Sequence, residues 1–215
     1  MKEKREVILK DTYANPAPLG LLAFGMTTVL LNLHNAGFVK LDSMILAMGI
    51  FYGGMAQILA GVAEGRKNNT FGYTAFISYG FFWLSFAGLL IMPKLGWIAE
   101  VSNTSLVAYL TMWGIFTSLL FIATLRVSVA LQLIFGSLAL LFFLLAAADY
   151  TESSLIKEIA GFEGVICGFI AIYTGIAQVL NEVWGRVMLP LGKVVKSKTT
   201  EDELLAKAIP ETAFL

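Results

Sequence analysis

Six apolar stretches, each 20 to 23 residues long, decide what this chain can fold into: Leu19–Phe38, Ser43–Ala63, Phe71–Met92, Thr104–Leu125, Val127–Ala148 and Ile159–Asn181. As helix, each spans roughly 30–35 Å, which matches the ~30 Å hydrocarbon core of a bilayer. A closed β-barrel would need strict alternation of apolar and polar residues, and these stretches show none. Charge is scarce where a soluble fold would need it. Only 14% of residues are charged and 58% are hydrophobic, against about 25% charged in a soluble domain. The fold class that follows is an all-α membrane protein with six transmembrane helices, multi-pass in the cell membrane.

The basic residues orient it. Lys2, Lys4, Arg5, Lys10, Arg66, Lys67, Arg126, Arg186, Lys193, Lys196, Lys198 and Lys207 fall on one side, and only Lys40, Lys94 and Lys157 on the other. The excess of positive charge predicts that the richer side, with both termini, is cytoplasmic. The organisation expected is a cytoplasmic segment 1–14, a transmembrane domain 15–192 and a charged cytoplasmic tail 193–215. The N-terminus does not read as a cleavable signal, because no small-residue cleavage site follows a short apolar core. The short loops leave no room for a soluble catalytic or nucleic-acid-binding domain. No nucleophile–base pair is evident, Cys167 stands alone, and His34 has no partner at ligand spacing. The expectation is no enzyme, no metal and no cofactor.

Polar residues inside the spans carry most of the functional signal, because they cost energy there unless bonded or hydrated. Thr28, Asn32 and Asn35 share a face of the first helix, and Thr27 lies beside them. Tyr52-Gly-Gly-Met-Ala-Gln57-Ile-Leu59 and Tyr173-Thr-Gly-Ile-Ala-Gln178-Val-Leu180 repeat Tyr, Gly, Ala, Gln and Leu at identical spacing. Both segments run inward, so Gln57 and Gln178 are expected at similar depth, either bonding neighbouring helices or lining water. Small residues cluster on helices 2 and 6 (Gly49, Gly53, Gly61; Gly161, Gly164, Gly168, Gly175), suited to close helix packing or to a subunit interface. Glu64, Glu163 and Glu182 lie toward the helix ends, where acids are solvated or paired, and His34 reads as a solvated or capping residue. Asn15 is a good N-cap with Pro16 in the first turn. The same helix start could instead hold an anion on its free N–H groups. No buried Lys and no chain of ionisable residues crosses the membrane, which points to a small solute, neutral or held by amides, hydroxyls and helix dipoles.

The string Asn15-Pro-Ala-Pro-Leu-Gly-Leu21 resembles the signature of the acetate uptake transporter family, which includes bacterial succinate–acetate permeases. Gly25-Met-Thr-Thr, Leu30-Leu-Asn-Leu-His-Asn35, Ile45-Leu-Ala-Met-Gly-Ile-Phe-Tyr-Gly-Gly54, Asn69-Thr-Phe-Gly72, Met92-Pro-Lys-Leu-Gly96 and Leu180-Asn-Glu182 extend the similarity from Asn15 to Gly192. The resemblance implies transport of acetate, and in some members succinate or other short carboxylates. It implies hexamers with one pore per subunit and an apolar constriction that falls here on Phe24, Tyr79 and Leu138. It also implies a position on helix 6 that influences substrate size, here Ala171. Beside it, the residues themselves suggest Gln57, Thr27 and Thr28 as polar pore lining, with Trp83 one turn beyond Tyr79. Asn15 and Gln178 are the other candidate binding or pore-lining residues, Asn15 at a cytoplasmic anion site. The alternatives carried are a channel for small neutral solutes such as urea, ammonia or water, and a sensor or scaffold without flux, which the short loops disfavour.

Overall fold

A computed structural model describes residues 14–192 and Val194. It holds six helices long and apolar enough to cross a membrane: α1 (Ala17–Asn35), α2 (Ser43–Arg66), α3 (Thr70–Ile91), α4 (Asn103–Thr124), α5 (Val129–Thr151) and α6 (Ser154–Val183). The segment 1–13 and the tail beyond 194, with most of the basic residues that set the expected orientation, lie outside the described residues.

The helix starts are written in short polar side chains. Asp42, Asn69, Ser102, Ser128 and Ser153 each accept a hydrogen bond from a backbone N–H of the following first turn, which satisfies a donor that lipid could not. Asn69 also gives its amide to the buried carboxylate of Glu64 at 2.7 Å, so this acid is paired rather than solvated. α1 differs. Its N-cap is Pro16, and Asn15 one residue earlier accepts from Ala17 N at 3.2 Å. α6 begins five residues before its apolar stretch because Ser153 caps it there. Its 30 residues span about 45 Å, so its first turns, with Lys157, stand beyond a ~30 Å core.

α1 packs along α6 with almost no space between them. A Cβ built on Gly168 would lie 2.7 Å from the Gly25 carbonyl oxygen, and one on Gly175 would lie 3.2 Å from that of Pro18. α2 closes on α3 the same way: a Cβ on Gly61 would lie 2.9 Å from Ile77 N. The small-residue faces of helices 2 and 6 are therefore used inside one chain, where backbone-to-backbone approach maximises van der Waals contact. The middle of α2, Met48–Ala56, is a π-helix, and the Trp83 ring fills the groove above Gly53. After α6 the chain folds back as a strap. Asn181 bonds Met188 N, Leu189 N and Leu189 O, and Tyr173 donates to Pro190 O. The carbonyls of Gly192 and Leu191 accept from Val129 N and Ala130 N at the start of α5.

Candidate functional site: three cavities along α1, α3 and α5

Three cavities lie one after another through the bundle, and the spacing of side chains on three helices places them. α5 meets all three. Its Leu131 lines a wide mouth on the side of Asn15 and Val194, Ile134, Phe135 and Leu138 line a central void, and Leu145 and Asp149 line a chamber at the opposite end. From Leu131 to Asp149 is about 27 Å of helix, close to the full thickness of a bilayer core. α1 runs the same course with Asn15, then Leu21 and Phe24, then Leu31, His34 and Asn35; α3 contributes Ala75, Phe76 and Tyr79, then Phe82, Phe86 and Leu90. Within the helices these positions fall mostly three, four or seven residues apart, so each set forms one stripe of its helix.

The mouth measures about 1120 Å³, the central void about 20 Å³ and the far chamber about 180 Å³. The central void is the neck, with room for on the order of one water. Phe24, Tyr79 and Leu138 meet there, each no more than 6% exposed, with Phe24 and Tyr79 ring centroids 6.1 Å apart. Gln57 reaches the same void from α2 and is the amide at the neck. It is 1% exposed and its Oε1 has no hydrogen-bond partner. An amide left this way in an apolar site is costly unless something passing through completes it.

Other candidate residues fall elsewhere. Thr27 is fully buried and its hydroxyl donates to Met48 O at 3.4 Å, so it ties α1 to the π-helix and lines none of the three cavities. Trp83 packs on Gly53 and likewise lines none of the cavities, its Nε1 buried without a partner. Thr28 lies on the α1 stripe between neck and chamber, buried with an unpartnered Oγ1. Ala171 is fully buried one turn from Thr174 of the mouth and lines no cavity itself. The Tyr79 hydroxyl is held at 2.9 Å by Thr117, whose own proton goes to Trp113 O at 2.7 Å. Tyr79 is therefore the donor to Thr117, and its phenol has no proton left for a carboxylate. Gln178 sits at the mouth, where its Oε1 accepts from Asn15 Nδ2 at 3.1 Å. Gln57 faces Leu21 and Phe24 at the neck, about 9–13 Å farther along α1 than Asn15. The two glutamines thus differ in depth, because the repeat places them at different distances from their helix ends. The α1 start is also poor in donors: Pro16 and Pro18 have no N–H, and that of Ala17 goes to Asn15. His34 caps the turn after α1, its Nδ1 lying 3.1 Å from Val39 O.

Several residues that support the cavity walls carry no motif in the sequence. Trp113 and Thr117 of α4 brace Tyr79, and Phe82 packs on Trp113 and Phe142 beyond the neck. The stripes on α3 and α5 are the signal that would have found Phe82 and Phe142, whereas Trp113 and Thr117 of α4 lie outside them.

Six membrane-crossing helices around a chain of cavities with an apolar neck define a multi-pass membrane transport protein. The GPR1/FUN34/yaaH family model matches residues 2–192, and the chain belongs to that family. It is 54% identical to the succinate-acetate/proton symporter SatP of Escherichia coli over 84% of this chain and 96% of that one. It is 34% identical to acetate permease A of Emericella nidulans over 87% and 68%. A solved structure of the bacterial acetate channel SatP superposes with a TM-score of 0.83 at 54% identity, covering 84% of this chain and all of that one.

Proposed function

We propose that this protein carries acetate and related short carboxylates, succinate among them, across the membrane through the passage between α1, α3 and α5. One observation carries the reading: an apolar neck of about 20 Å³ lies between two larger cavities, with the unpartnered amide of Gln57 facing it. Such a neck excludes a hydrated ion and must widen for acetate, while a methyl group suits its walls. The carboxylic acid form fits the amide best, since its O–H can donate to Oε1 while its carbonyl accepts from Nε2. A solute that crosses as the neutral acid carries its proton with it, and this favours proton-linked movement over conduction of the bare anion.

The passage lies within one chain, which supports one pore per subunit rather than a pore on a symmetry axis. The proposal includes assembly as a homo-hexamer and both termini in the cytoplasm. Within it, Phe24, Tyr79 and Leu138 form the constriction, Gln57 and Thr28 are the polar groups beside the path, and Asn15 with Gln178 shapes the mouth. Ala171 acts on size by packing behind the passage. A second reading, a path for a small neutral solute such as ammonia, draws on the one-water size of the neck. A relative that is 36% identical is named ammonia transport outward protein 2. Uptake of radiolabelled acetate into liposomes holding the purified protein decides between them, with lipid-only vesicles as control. Uptake that follows an inward proton gradient is expected. Uptake no greater than in lipid-only vesicles would remove the carboxylate reading and leave the neutral-solute path.

A further inference from the structure

The far chamber differs from the neck in carrying fixed charge. Its walls are mostly leucine and phenylalanine, and among its lining residues Lys157 is the cation, Asp149 the anion, and His34 and Asn35 the remaining polar groups. Lys157 stands on the first turns of α6, where the helix start adds positive potential, and it acts electrostatically on Asp149. The His34 ring faces the Val39 carbonyl through Nδ1, so when neutral it carries its proton there and leaves Nε2 as an acceptor. The chamber, about 180 Å³, is large enough for a small carboxylate, which enters it as the anion prevailing at pH 7 and takes up its proton only on reaching the neck.

A dianion feels each fixed charge twice as strongly as a monoanion, and low-dielectric walls preserve that difference. We propose that Asp149 and Lys157 set the preference of this protein between mono- and dicarboxylates at the far chamber: Lys157 draws carboxylates in, and Asp149 penalises a second negative charge. The inference rests on the carboxylate reading above and adds to it a selectivity filter separate from the neck.

The test measures saturable uptake of acetate and of succinate at pH 7 in proteoliposomes for the wild type, Asp149→Asn and Lys157→Gln. Asp149→Asn raises the succinate-to-acetate ratio of kcat/KM by roughly fivefold, and Lys157→Gln lowers it by a similar factor, the size expected for one partly exposed charge. The acetate KM of the wild type rises with added salt. That dependence flattens in Lys157→Gln and survives in Lys157→Arg, which a merely structural role for Lys157 would not produce. Both ratios within twofold of the wild type would overturn the inference while acetate uptake by the wild type left the transport reading intact. A wild type that takes up neither acid would sink the reading itself.

Discussion

Gln57 is the residue on which the proposed chemistry turns, because it places an unpartnered amide in an otherwise apolar neck. Gln57→Leu keeps the bulk and removes both hydrogen bonds. The lost bonds are worth about 1 kcal/mol each in net terms, so acetate flux falls roughly tenfold or more, read as initial rates of proton-driven uptake. An unchanged rate would show that the amide only braces helices. Leu138 makes the complementary prediction. It is 3% exposed on the wall of a void of about 20 Å³, so Leu138→Ala opens the narrowest point by about three methyl-sized groups. Uptake of a three-carbon acid such as lactate rises relative to acetate, measured by competition. The sequence marks Gln57 as unusual through its depth in an apolar span, but it cannot show which neighbours satisfy a polar group. Thr27 and Thr28 illustrate the point. They are adjacent and chemically identical, yet one bonds the Met48 carbonyl and the other faces the α1 stripe without a partner.

The helix pairs obey a different logic, in which the spacing of small residues matters more than their number. Gly161, Gly164, Gly168 and Gly175 keep α6 against α1, and the closest atoms to Gly168 are the Gly25 carbonyl and Val29, neither of which can withdraw without moving the helix. Gly168→Val therefore separates α1 from α6 and displaces Phe24 from the neck. It is expected to lower the thermal midpoint in detergent by many degrees and to abolish uptake. Gly136→Ala meets only Phe121 ring carbons, the nearest at 3.4 Å, and leaves both intact. If Gly168→Val were as stable as Gly136→Ala, the close approach of α1 and α6 would not be what holds the bundle. The number and length of the helices were legible from hydropathy alone, within a few residues at each end. The largest departure is the start of α6, where Ser153 caps the helix ahead of its apolar stretch and carries Lys157 to the chamber. A hydropathy reading sees the lysine as loop because it weighs burial, whereas helix initiation follows the cap. The π-helix in α2 had no sequence signal at all: Gly49, Gly53 and Gly54 permit it, and the Trp83 ring on the neighbouring helix occupies the room it makes.

At the scale of the whole molecule, the proposed passage has two unlike ends, and which end faces the cytoplasm decides what each one does. The mouth, bordered by Arg126, Arg186 and the strap, shares its side with Asn15 and Val194, near the two ends of the described residues, while the chamber with Lys157 and Asp149 lies at the other. The bias of basic residues toward the termini predicts that the mouth faces inside. Many of those residues fall in 1–13 and after 194, so the orientation rests on charge rather than on packing. The chain offers a clean way to test it. Cys167 is its only cysteine and is fully buried, so a thiol placed on either surface reports without a competing signal. Val187, 75% exposed on the strap, and Ile98, 67% exposed in the α3–α4 loop, lie at opposite ends. In intact cells a membrane-impermeant maleimide is expected to label Ile98→Cys and to spare Val187→Cys until the membrane is opened. The reverse pattern would turn the molecule over. The chamber would then face the cytoplasm, and the charge filter proposed there would act on carboxylates leaving the cell instead of on those entering it.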